Sequence, residues 1–154
     1  MRRHIQDYCA LPVPSGTAAV VLRNAPDVWL PPGSLELTRD GGRHVQLPGG
    51  PVVVRVGPCI ETAAVFLRRL AVIVEGEAAD SLEVRCDLEL RGTREGLSRL
   101  DVCGSYREPL SVHGLAVDRT TVQQRCRELL HAIAGAIAEA VRDPAGVAPS
   151  TLAG

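Results

Sequence analysis

Two adjacent arginines, Arg68 and Arg69, interrupt an otherwise apolar run from Ala63 to Glu75. Successive residues of a strand face opposite sides, so if this run is a strand, one of the two points inward. With Arg69 and Glu75 toward solvent, Phe66, Arg68, Leu70, Val72 and Val74 share the inner face. An inward guanidinium needs an anionic partner, and its planar fork suits a ligand carboxylate or phenolate. An acid of the chain itself, such as Glu36 or Glu61, is the structural alternative. Trp29 and Tyr106 each join a flat apolar body to a hydrogen-bonding tip, a combination that serves a cavity mouth or plain packing equally well. His113 is a candidate general base or hydrogen-bond donor, although the neighbouring Gly114 places it on a loop. His131 flanks an apolar helix stripe, and His4 and His44 have no partner recognisable in the sequence.

Other chemistries find little support. The chain holds no GxSxG elbow and no Cys–His pair at readable spacing, so nucleophilic catalysis has no local signature. Gly41-Gly42 and Gly49-Gly50 lack the GxxxxGK or GxGxxG context of phosphate loops and read as turn glycines. The five cysteines, Cys9, Cys59, Cys86, Cys103 and Cys126, are odd in number and scattered, without the spacing of a disulfide framework or a zinc site. They are expected to be reduced and mostly core fillers. No cofactor and no metal are expected.

Composition narrows the classes further. The 154 residues fit one ordinary domain, large enough to bury a core without staples. Basic and acidic residues number 17 and 18, leaving a net charge of -1 and no excess to neutralise a nucleic-acid backbone or an anionic membrane. Aromatic residues make up only 3%, too few for a base-stacking platform. Every basic residue is Arg and none is Lys, a usage that matches a high-GC bacterial genome. No signal peptide and no membrane span are readable, so a cytoplasmic protein is expected.

The elements that must position these residues follow from periodicity. Leu82, Val84, Cys86, Leu88 and Leu90 alternate without exception with charged residues, which defines a half-buried strand. After a loop at 92–96, Leu100, Val102, Gly104 and Tyr106 alternate likewise, completing an antiparallel hairpin. Ala63–Glu75 and Pro51–Val56 read as neighbouring strands, with Leu35–Thr38 and His44–Leu47 as a further short pair. From Asp118 to Arg142 the period becomes 3.6, with Val122, Cys126, Leu129, Leu130, Ile133, Ile137, Ala140 and Val141 on one face. Asp118 or Thr120 can cap this helix, and Asp143-Pro144 ends it. At the start, Ile5–Val13 reads as a strand and Ser15-Gly16-Thr17 as the cap of a short helix over 18–22. Asp27 heads a second helical turn that stops at Pro31-Pro32. Residues 1–143 form one domain in this reading, and 144–154 form a poorly ordered tail.

This order, with three local stretches, resembles the START-like superfamily, also called SRPBCC or helix-grip. Pro14-Ser15-Gly16-Thr17-Ala18-Ala19-Val20 followed by Trp29-Leu30-Pro31 is similar to the family's strand, first helix and tryptophan-bearing second helix. Leu88–Gly92 with Leu100–Leu110 is similar to its paired late strands, ending in a G-x-Y-x-x-P-L turn. Val112–Arg119 is similar to the approach to its C-terminal helix. The resemblance spans roughly residues 5 to 142 and carries no catalytic signature. It implies an α+β helix-grip fold: a curved antiparallel sheet of about six to seven strands around a long C-terminal helix, with two short N-terminal helices and a ligand cavity between sheet and helix. Because those helices fit into about 16 residues, the cavity is expected to be small or partly open.

The residues expected at that cavity are Trp29, Phe66, Arg68, Leu88, Val102, Tyr106, His113, Cys126, Leu130 and Ile133. Three functions are consistent with this. The first is non-catalytic binding of a small hydrophobic or amphipathic molecule. The second is a cyclase or aromatase-like enzyme in which Arg68, Tyr106 or His113 orients a polyketide-like substrate and moves protons. The third is an interaction module, a homodimer whose interior is filled by its own side chains.

Overall fold

The computed structural model describes residues 2–24, 26–30, 42–47, 50–74, 82–107 and 119–142. The strand expected at 35–38 with its Glu36, His113, Asp118 and the tail at 144–154 lie outside the described residues. Nine elements follow one another: β1 (Arg2–Leu11), α1 (Ser15–Arg23), α2 (Pro26–Trp29), β2 (Arg43–Leu47), β3 (Gly50–Glu61), β4 (Phe66–Val74), β5 (Leu82–Gly92), β6 (Ser98–Arg107) and α3 (Arg119–Arg142). The strands form one six-stranded sheet in the order β1-β6-β5-β4-β3-β2, with every neighbouring pair antiparallel.

The strict alternation of β5 places Val84, Cys86, Leu88 and Leu90 on the buried face, while Glu83, Arg85 and Arg91 remain exposed. In β6, Leu100, Val102, Gly104 and Tyr106 turn to the same side, in register with Leu90, Leu88, Cys86 and Val84. The hairpin turn closes with Leu97 N–H donating to the Arg94 carbonyl at 2.9 Å. Gly96 takes φ +77° there, a backbone region that a Cβ disfavours.

Sequence and structure differ where local breakers proved tolerable. The strand expected to stop at Val56 runs on to Glu61, because Gly57 and Pro58 form a bulge between the pairs Val56–Leu70 and Cys59–Arg68. A bulge is one of the few places in a sheet where proline's missing N–H costs no ladder bond. The first strand occupies 2–11 rather than 5–13, since the β6 partner reaches Arg107 opposite Arg2. The residue preceding α1 is Pro14, with no side-chain cap; the Thr17 and Ala18 amides donate to the Pro14 carbonyl at 3.1 Å, so the expected Ser-Gly-Thr cap is not used. Likewise α2 opens on Pro26 rather than being capped by Asp27, as suits proline's fixed φ in a first helical turn. Thr120 is the second residue of α3 and not its cap.

The long helix α3 packs chiefly against β1, and α2, α1 and β6 also touch it. Its stripe of Cys126, Leu129, Leu130, Ile133, Ile137 and Val141 is buried. Together with the concave face of the sheet and with Ala18, Leu22 and Trp29 it makes one core. Each such large aliphatic side chain contributes about 1.5–3 kcal/mol on burial, so the amphipathic pattern alone suffices to hold helix to sheet. Among the described residues, no helix is long and apolar enough to cross a membrane.

Candidate functional site

Nine of the ten residues expected at the cavity fall among the described residues, and all nine belong to the interior. Leu88 and Val102 are cross-strand partners in β5 and β6, and both are fully buried on the concave face. Tyr106 lies one further step along β6, opposite Val84, and is also buried. Cys126, Leu130 and Ile133 are the α3 residues that face them, with exposures of 0–1%. Trp29 and Phe66 are buried at the α2 and β4 end of the same core. His113 lies outside the described residues.

At β6 the two layers meet directly. A Cβ built on Gly104 would stand 3.0 Å from Leu130 Cδ1 and 3.4 Å from Val84 Cγ1. Leu130 therefore rests on the backbone of β6, and this part of the interior is packed closed.

Arg68 is the polar group of the opposite end. It does face inward, as the alternation of β4 requires: Phe66, Leu70, Val72 and Val74 are buried beside it while Arg69 is exposed. Its partners, however, are backbone oxygens. Nη1 donates to the Asn24 carbonyl at 2.7 Å and to the Leu22 carbonyl, and Nε donates to the Gly57 carbonyl at 3.4 Å. The first two close the C-terminal end of α1, where unpaired carbonyls carry partial negative charge. The guanidinium carbon also lies 5.9 Å from the Trp29 ring centre, within range of a cation–π contact. Trp29 Nε1 donates to the same Asn24 carbonyl at 3.3 Å. Glu61, one of the acids considered for Arg68, instead pairs with Arg23, whose Nε lies 3.0 Å from Glu61 Oε1. That bond raises the Arg23 pKa. Sequence reasoning missed these carbonyl partners because backbone oxygens leave no residue-type signal.

The cysteines are divided by depth. Cys86 and Cys126 are buried, Cys9 and Cys103 half-buried and Cys59 exposed, so fewer are core fillers than their type suggests. Burial pushes the Cys86 thiol up to about 12 and the Cys126 thiol up to about 11. It raises Cys9 and Cys103 as well. None of these is prepared as a nucleophile, which needs a lowered pKa. Among the described residues, no group of three or more His, Cys, Asp and Glu side chains gathers as a metal site would.

Two grooves open on the outside. One, of about 370 Å³, runs between β1 and α3 past Asp7, Glu128 and His131, where His131 Nδ1 lies 3.0 Å from Asp7 Oδ2. The larger, of about 720 Å³, lies on the convex face of the sheet and includes none of the ten expected residues. The alternation had marked Arg69 and the odd positions of β5 as solvent-facing without showing that they surround a depression.

No family model matches the sequence, and no curated protein is similar to it in sequence. Solved structures are similar over nearly the whole chain. A START superfamily protein from Mycobacterium smegmatis matches with a TM-score of 0.57 at 16% identity, covering 91% of this chain and 97% of that one. The chain has the START-like helix-grip fold. Norcoclaurine synthase from Thalictrum flavum, solved with dopamine and hydroxybenzaldehyde, shares this SRPBCC fold with a TM-score of 0.60 at 15% identity, over 93% of this chain and 88% of that one. An aromatase/cyclase from a Streptomyces species does so with a TM-score of 0.57 at 12% identity, over 93% and 95%. Identities this low establish the SRPBCC fold and leave the function to the site.

Proposed function

We propose that the protein binds a small apolar or amphipathic molecule between its sheet and α3, and that Arg68 takes the ligand's acidic group. The observation that carries this reading is the Arg68 guanidinium turned toward the mostly apolar concave face, beside Trp29 and Phe66. Mostly apolar walls with a single well-placed polar group are what small-molecule sites are made of. The three bonds to Leu22, Asn24 and Gly57 occupy Nη1 and Nε. A guanidinium has five N–H donors, so the Nη2 edge is the one that meets a carboxylate or phenolate. Binding at the Arg68 end also fits the closed packing of Leu130 on Gly104 at the other.

The similarity to an aromatase/cyclase favours a second reading, in which the same pocket turns over an aromatic or polyketide-like substrate. Arg68 would then hold the substrate's oxygen, with Tyr106 donating or accepting a proton from the pocket wall. Burial raises the pKa of Cys9, Cys86, Cys103 and Cys126 alike, which weighs toward binding alone.

Displacement of a fluorescent hydrophobic probe by 2-naphthoic acid and by its methyl ester tests the first reading. The acid is expected to bind the wild type about tenfold tighter than the ester, the worth of one charge-assisted bond. In Arg68→Met the two should bind alike. Equal binding of acid and ester to the wild type, or no displacement by either, would overturn it.

A further inference from the structure

The outer face of the sheet, opposite to the interior, carries a depression. Its trough of about 720 Å³ is bordered by Arg2, Arg55, Arg69 and Arg85, together with His4 and one carboxylate, Asp87. Four arginines thus border one depression, with Asp87 against Arg69 and Glu83 against Arg85.

The register explains both the depression and its charge. Ala71 of β4 is paired with Arg85 of β5 on one side and Arg55 of β3 on the other. Neighbouring strands lie about 4.8 Å apart, so the two arginines emerge roughly 10 Å from each other across a methyl side chain. Arg69, two residues before Ala71, projects from the same face. The bulge leaves Gly57 beside it with no side chain to fill the space: a Cβ there would meet the Arg69 carbonyl oxygen at 3.4 Å. Ser105 and Cys103 continue the low floor toward β1. Three arginines thus rise from positions around one small residue.

The carboxylate partners of Arg69 and Arg85 hold them only loosely. Arg69 Nε is 3.4 Å from Asp87 Oδ1, and Arg85 Nε is 3.5 Å from Glu83 Oε1, with both arginine side chains about 65% exposed. Exposed pairs at such distances contribute little. They orient Arg69 and Arg85, whereas a phosphate can take two parallel N–H···O bonds from each fork. A volume of this size holds a small molecule rather than a single ion.

We propose that this trough binds a soluble phosphorylated small molecule, its phosphoryl group seated over Ala71 between Arg55, Arg69 and Arg85. Inorganic pyrophosphate and adenosine triphosphate serve as probes, titrated calorimetrically at low and moderate salt into the wild type and into Arg55→Gln/Arg85→Gln. Circular dichroism confirms that the variant is folded, since both changes lie on the exposed face. The expected result is saturable one-to-one binding to the wild type that weakens as salt rises and falls at least about tenfold in the variant, from the loss of charge-assisted bonds. Glu83→Gln, which leaves the trough's own residues in place, should bind at least as tightly as the wild type. No binding of either probe, or equal binding to wild type and double variant, would overturn the proposal. So would binding confined to vesicles containing phosphatidic acid, because that would make the trough a membrane contact.

Discussion

Leu130 of α3 sits on Gly104 of β6 so closely that a Cβ at position 104 would lie 3.0 Å from its Cδ1 and 3.3 Å from its Cδ2. This contact fixes the distance between helix and sheet at one end of the grip. The proposed ligand site accordingly lies toward the other end, near Trp29, Phe66 and Arg68.

Gly104→Ala should accordingly be costly although alanine is small. Leu130 and Val84 must both give way, and overpacking of this kind costs about 1–3 kcal/mol. A urea denaturation curve checks it, with a lowered midpoint expected. The double variant Gly104→Ala/Leu130→Val should recover part of the loss, because it removes the clashing methyl group.

Arg68→Met retains the apolar stem of the side chain but removes three bonds to carbonyl oxygens at the end of α1 and at the bulge. The loss should be about 2 kcal/mol for a half-buried charged donor. Hydrogen exchange should show it first in the amides of α1, and Arg68→Lys should fall between the two, since a point charge cannot reach all three oxygens.

The two deep thiols give the protein an alkaline limit. Cys86 and Cys126 titrate at about 12 and about 11 when folded, because burial penalises the thiolate. In the unfolded chain they titrate near the ordinary value of 9.0. Folded values above unfolded ones mean that their contribution is complete below about pH 9 and is lost as the pH rises toward 11 and 12. Each thiol should steepen the fall by about 1.4 kcal/mol per pH unit in that window. Urea midpoints at pH 8, 9 and 10 test the sign. Iodoacetamide at pH 8 should label the exposed Cys59 well before Cys86 or Cys126.

At the β5–β6 turn, Gly96→Ala should destabilise by about 1–2 kcal/mol through the φ of +77° alone. Its Cβ would meet nothing within 4 Å, so strain and not crowding is the cause. Thermal unfolding would show it, whereas Gly16→Ala, inside α1 with equally open surroundings, should stabilise slightly.

The fold was readable where period and burial agree. The alternation of 82–91 and the apolar stripe of 126–141 each allow only one face to be buried, and both elements stand as expected. Arg68 was assigned to the inner face by the same parity argument, and it is there. What escaped depends on backbone. Gly57-Pro58 reads as a stop until a partner strand accommodates it as a bulge. The carbonyls that hold Arg68 are backbone oxygens of Leu22, Asn24 and Gly57, which every residue type carries alike. The ring of arginines around Ala71 needs the register of three strands, which no single stretch of sequence contains.

Native mass spectrometry of the protein mixed with an equimolar amount of 2-naphthoic acid tests the central claim most directly. A monomer carrying one acid molecule, absent from Arg68→Met and lost on denaturation, is the expected result. A monomer with no bound acid in the wild type, or an empty dimer, would contradict an interior site for an amphipathic ligand.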